Sequence, residues 1–168
     1  RYAQKLVGKP ELPKQERELN WLYKRFKAAQ DIAAAIPGDP KAQLRAAIML
    51  ANFGRNDEAT ARLEELLREH PDFRDGHIIL GEIHLYRGKL DQASKQFQIA
   101  LAQAKNGEQR SAMNLRLGEI DRHRGDFTAA KLKFEQALKD DPQLAASVEE
   151  RTKQRAAAQG VYEATSTP

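Results

Sequence analysis

"LGEIHLYRGKLDQASKQFQIAL" occupies Leu80 to Leu101, and "LGEIDRHRGDFTAAKLKFEQAL" occupies Leu117 to Leu138. The two stretches agree at ten of 22 positions and lie 37 residues apart, keeping LGEI, Arg-Gly, one alanine, one phenylalanine and a closing Ala-Leu. A fainter copy, "AAIMLANFGRNDEATARLEELL", runs from Ala46 to Leu67, 34 residues ahead of the first. In it Gly54 stands where Gly88 and Gly125 recur, and Ala59 where Ala93 and Ala130 recur. A unit of about 34 residues cannot bury its apolar face alone, so neighbouring copies must stack and share a core.

The repeated unit is helical. Breaks fall at Gly8-Lys9-Pro10, Pro13, Pro37-Gly38-Asp39-Pro40, His70-Pro71, Asn106-Gly107, Asp141-Pro142 and Gly160, with shorter ones at Gly54-Arg55-Asn56, Gly88-Lys89 and Gly125-Asp126. Between them apolar residues recur at helical spacing, with no alternation long enough for a strand. Asp39 before Pro40 and Asp141 before Pro142 pair a capping carboxylate with a proline suited to the first helical turn. Each interval therefore becomes two helices of about 14 residues, an αα-hairpin. Gly81, Gly118, Ala93 and Ala130 are expected where helices approach closely, and Phe97 and Phe134 are expected to fill the space between adjacent hairpins.

Composition supports this reading. The 168 residues hold 40% hydrophobic and 31% charged side chains with 10 Gly and 7 Pro, which suits a helix-rich folded chain. Such a length buries roughly 70% of its unfolded surface. There is no cysteine, which excludes disulfides, thiolate nucleophiles and Cys-ligated metal, and leaves the redox compartment open. Arg1 in place of a methionine suggests a fragment or processed form, so an upstream signal or anchor stays open. Residues 1–27 carry eight Lys/Arg against three Asp/Glu, net +5, and the rest carry 20 against 21, net −1. The basic start is read as a solvated face, with contact to an anionic surface as the alternative.

These residues resemble the tetratricopeptide repeat family, whose signature is W-x2-L-G-x2-Y, then A-x3-F, a further Ala and a closing Pro. The matching residues in the middle copy are His77, Leu80, Gly81, His84, Ala93, Phe97 and Ala100, with Lys105 where proline is expected. The last copy gives Asn114, Leu117, Gly118, Asp121, Ala130, Phe134, Ala137 and Pro142; the first gives Gln43, Ala46, Ala47, Leu50, Ala59, Leu63, Leu66 and Pro71. The resemblance implies an all-α, right-handed helical-hairpin solenoid of three repeats with an N-terminal helix and a C-terminal capping helix. Its departures are the missing aromatics on the first helices and three extra residues around Lys105 to Arg110, expected to lengthen the middle repeat's second helix.

The organisation read from the chain is a basic, partly flexible leader (1–13), an N-terminal helix (14–36), repeats at 40–73, 74–110 and 111–142, a capping helix (143–159) and a disordered tail (160–168). On the N-terminal helix Leu19, Leu22, Phe26, Ala29, Ala33 and Ile36 share one face, flanked by Trp21 and Ile32, an apolar arc of about half the helix. On the capping helix Leu144 and Val148 are expected to face inward.

Catalytic chemistry is missing. His70, His77 and His84 recur every seven residues, which separates side chains by about 10.5 Å along a helix, too far for joint metal ligation. Glu82 and Glu119 recur after the glycines, but a paired-carboxylate acid/base site needs a pocket that open helix faces do not supply. No phosphate-binding glycine loop, G-x-S-x-G or H-E-x-x-H occurs. No enzyme and no cofactor are expected.

By the resemblance, first helices line a groove that takes a partner's peptide or helix. Alignment on the glycines places there Arg45 and Asn52, then Ile79, Glu82 and Tyr86, then Arg116, Glu119, Arg122 and His123. One subfamily clamps the C-terminal carboxylate of a chaperone tail, with matching positions Leu44, Ile48, Ile79, Ala112 and Arg116. Only Arg116 agrees with that subfamily, so a chaperone tail is not the expected ligand. Trp21, Tyr23 and Phe26 form a second candidate surface. Three functions stay open. The leading one is a protein-interaction module within a larger assembly, cytoplasmic or beside a membrane through an upstream segment. The next is a homo-oligomeric scaffold. RNA binding is the least favoured because the repeats carry net negative charge, and no nucleic-acid partner is expected.

Overall fold

Glycine sets the turns. Gly54, Gly88 and Gly125 adopt φ values of 74°, 70° and 81°, which β-carbon-bearing residues adopt only at a cost. Behind each, the next amide reaches five residues back: Arg55 to the Leu50 carbonyl at 2.9 Å, Lys89 to His84 at 2.8 Å, Asp126 to Asp121 at 3.0 Å. This closes the first helix of each pair and launches the second.

The computed structural model describes residues 14–36 and 38–150, and these hold helices and no strand. The helices are α1 (Lys14–Ala35), α2 (Pro40–Asn52), α3 (Asn56–Glu69), α4 (Arg74–Tyr86), α5 (Leu90–Ala102), α6 (Gly107–His123) and α7 (Phe127–Asp140), followed by a helical stretch over 142–150. They form two units, one ending at Pro71 and one beginning at Asp72.

In the first unit α1 packs on α2, and α2 pairs with α3. Asp39 accepts the Lys41 amide at 3.0 Å and Pro40 opens α2, as the Asp-Pro signal predicts. Buried Ala42, Ala46, Ala47 and Leu50 of α2 share the interior with Ala59, Leu63, Leu66 and Leu67 of α3. Phe26 and Ala33 anchor α1, the Phe26 ring lying 5.0 Å from that of Phe53. Gln43 ties the unit together, donating to the Ala33 carbonyl at 2.9 Å and accepting from Arg62 at 3.2 Å.

In the second unit α4 pairs with α5, α6 with α7, and α5 packs on α6. A β-carbon at Gly81 would lie 2.7 Å from Phe97 Cε1, and one at Gly118 would lie 2.6 Å from Phe134 Cε1. Each ring therefore occupies the space its own hairpin's glycine vacates. Phe97 then continues into a core with Ala93 and Ala100 of α5 and Met113, Leu117 and Ile120 of α6. Phe134 is only half-buried. The expectation that both rings simply fill the space between hairpins is corrected: each ring's contact with its glycine is internal to the hairpin, and Phe97 also extends to the next pair.

Where the resemblance implies aromatics, polar side chains are buried and bonded. His77 Nδ1 lies 2.8 Å from Gln96 Oε1, and Asn114 donates to Asp140 Oδ2 at 3.0 Å. Asp140 also accepts from Arg110 at 3.2 Å, and its carbonyl presses on Gly107 where a β-carbon would stand. Arg74 donates to the carbonyls of Ala100 at 3.1 Å and Gln109 at 3.3 Å, joining α5 to α6.

The extra residues lengthen α6, not α5. α5 ends at Ala102, and α6 begins at Gly107 because Asn106 accepts the Gln109 amide at 2.9 Å and caps it. Val148 is exposed and not inward, while Leu144 is half-buried. Ile36 is exposed, since the buried side of α1 is set by Phe26 and Ala33. The side chains of Leu19 and Leu22, the leader (1–13), residues 151–159 of the expected capping helix and the tail (160–168) lie outside the described residues.

Gly81→Ala and Gly118→Ala are expected to differ. Phe97 is fully buried and cannot yield, so Gly81→Ala loses about 1–2 kcal/mol despite the gain in helix propensity. Phe134 can swing outward, so Gly118→Ala falls within about 1 kcal/mol of the parent. Urea denaturation midpoints measure both.

Candidate protein-interaction surface

α4 and α6 are the first helices of successive hairpins in the second unit. Between them opens a cleft of about 520 Å³. Ile78 of α4 and Ala112, Met113 and Leu115 of α6 line it, with Glu82, Glu108 and Arg116 supplying charge. Arg116 reaches from α6 to Glu82 at 2.7 Å and also meets Glu119 at 3.4 Å. One guanidinium thus bridges two carboxylates that the repeat places at matching positions. All three side chains are a third to half exposed, so the network stabilises the fold by no more than about 1 kcal/mol per pair.

The structure brings Glu82, Arg116 and Glu119 together. Tyr86 stands 84% exposed at the C-terminal end of α4, and Arg122 and His123 are exposed in the last turn of α6. Ile79 is half-buried and does not line the cleft; Ile78 does. Arg45 and Asn52 are exposed on α2 of the first unit. Trp21 and Tyr23 are exposed on α1, whereas Phe26 is buried against Phe53 and leaves that surface. Ile78 and Leu115, absent from the sequence-predicted set, do carry a signal in the sequence. They occupy the same register in the two close copies and both are apolar, whereas Ile79 becomes Arg116.

His77 is held by Gln96, and His84 is buried within α4. Among the described residues no three His, Asp or Glu side chains group as metal ligands. No described helix is long and apolar enough to cross a membrane.

A chain built of recurring helical hairpins, with mixed apolar and charged side chains along an open cleft, is a helical-repeat scaffold. The tetratricopeptide repeat family profile matches residues 44–108 and 80–145. The chain belongs to the tetratricopeptide repeat family, a class of protein-interaction scaffold. Among solved structures, MamA is similar with a TM-score of 0.63 and 16% identity, over 80% of this chain and 77% of that one. MamA from Desulfovibrio magneticus RS-1 gives 0.64 and 16%, over 76% and 70%. The APC/C hetero-tetramer Cut9-Hcn1 gives 0.63 and 18%, over 70% of this chain and 22% of that one. At these identities the likeness is one of fold. No curated protein matches the sequence.

Because the Glu82–Arg116 pair is exposed, a double-mutant cycle of Glu82→Ala and Arg116→Ala is expected to give a coupling below about 1 kcal/mol that shrinks in high salt. Denaturation midpoints at two salt concentrations measure it.

Proposed function

We propose that the chain docks a segment of a partner protein in the cleft between α4 and α6. The partner presents an apolar side chain to Ile78, Met113 and Leu115 and polar groups to Glu82, Arg116 and Glu119. The observation that carries this reading is the cleft itself, about 520 Å³ in volume, with Ile78, Ala112 and Leu115 in its wall and an arginine between two carboxylates at its edge. Glu82 and Glu119 orient the arginine toward the cleft, which lowers the conformational freedom it gives up on binding. Tyr86, exposed at the end of α4, adds a second residue type that often dominates binding energy. One fold neighbour is a chain of the hetero-tetramer Cut9-Hcn1, which supports a place for this chain in a larger assembly.

Affinity capture from lysate of the native host tests the proposal. The variants are Tyr86→Ala/Arg116→Glu/Glu119→Arg and, independently, Ala112→Trp, which plugs the cleft without altering charge. With helical circular dichroism unchanged, both are expected to lose at least about tenfold of one captured protein. Equal capture by parent and both variants would show that the cleft is not the working surface.

A further inference from the structure

The outward side of α1, in the first unit, is distinct from the cleft and carries its own pattern. Trp21 is 55% exposed and Ile32 45%, and Ala28 and Ala35 are exposed as well. These four follow a spacing of seven, four and three residues, which draws one stripe along a helix. Phe26 and Ala33 already anchor the other side of α1, so the stripe is not needed to hold the helix to its own unit. An apolar stripe that the helix does not use within its own unit is available as a contact face.

The stripe is complementary to itself. In an antiparallel pair of α1 helices related by a twofold axis at Ala28, Trp21 of one helix lies opposite Ala35 of the other. Ala28 then meets Ala28, allowing close approach, and bulk meets space at both ends. On the flank of the stripe, Lys24 faces Asp31 of the second helix, and the symmetry makes this pair twice. Both side chains are exposed. A parallel pairing would instead put the two Lys24 side chains on opposite flanks, each beside Arg25 of the other helix, a contact of like charge. An anionic lipid surface would attract Lys24, Arg25 and Lys27 but repel Asp31, which lies on the same flank as Lys24. Arg25 sits 4.6 Å over the Trp21 ring, so the indole projects as a braced unit.

We infer that a second copy of this chain covers the stripe, through antiparallel pairing of α1 with α1 about Ala28. The cleft between α4 and α6 takes no part, so the two surfaces act independently.

Sedimentation equilibrium of the full chain over a range of concentrations tests this, with a monomer mass of 18.9 kDa as reference. The expected result is a monomer–dimer equilibrium that Trp21→Ala weakens about tenfold and that Lys24→Asp or Asp31→Lys each weaken about fivefold. The double swap Lys24→Asp/Asp31→Lys restores it, and Ala112→Trp leaves it unchanged. Because the chain has no cysteine, Ala28→Cys provides a second readout. Under mild oxidation it is expected to form a covalent dimer, whereas Tyr23→Cys, on another side of α1, does not. Monomer at every concentration overturns the inference; removal of residues 1–13 and flotation with phosphatidylserine vesicles then show whether the chain's own leader or a lipid covers the stripe. A dimer indifferent to Trp21→Ala, a swap that restores nothing, or equal crosslinking at positions 28 and 23 overturns it too.

Discussion

An aromatic ring resting where a β-carbon would be is the contact on which the hairpins depend. Gly81 lets α4 accept the Phe97 ring from α5, and Gly118 does the same for Phe134. The first unit fills the matching positions with other residues. At the matching positions stand Ala47 and Leu63, both fully buried. A β-carbon appears on one helix as the opposing side chain shrinks, which conserves volume across the contact. The pair of positions is the conserved quantity, and its filling alternates between glycine with phenylalanine and alanine with leucine. Once that contact is closed, Phe97 has an edge left for Met113, Leu117 and Ile120 of α6, and the second and third hairpins stack.

A second constraint comes from the buried polar pairs. His77 with Gln96 and Asn114 with Asp140 stand where the family signature implies aromatic packing. A buried amide or imidazole without a partner costs more than its hydrogen bond returns, so such positions tolerate few neighbours. Asp140 shows how far this reaches. It holds Arg110 and Asn114 by its carboxylate, while its carbonyl requires Gly107 at the start of α6. The geometry of the third hairpin is thus pinned by one acidic residue at the end of α7.

The fold was legible because stacking writes the same letters at the same interval. LGEI, the turn glycines and the Ala–Phe pair each reflect a contact that every hairpin must make, so repetition exposes them. What stayed hidden depends on contacts made once. The helix extended by the extra residues is α6, because Asn106 caps it, a local hydrogen bond that period alone does not rank against its neighbours. Phe26 lies by pattern both on the apolar face of α1 and beside Trp21 and Tyr23, and Phe53, far off in sequence, settles it on the buried side. Ile79 and Ile78 differ by about 100° around the helix, and only the position of α6 decides which one meets the cleft. The second signal was present, since Ile78 and Leu115 share a register, but glycine-based alignment gives it no special weight.

Repetition also shapes the cleft's electrostatics. Because LGEI recurs, carboxylates fall at equivalent positions on successive first helices, and Glu82 and Glu119 become neighbours of like charge. A third residue relieves the repulsion: at the register where the middle copy has Ile79, the last has Arg116, which reaches both carboxylates. The substitution that departs from the repeat is the one that the repeat's own charge pattern calls for. It leaves an arginine oriented by two acids at the mouth of an apolar cleft, with little of the fold's stability resting on it. A residue so placed can change its partners without loosening the core, and this is the condition under which a stacked repeat can carry recognition.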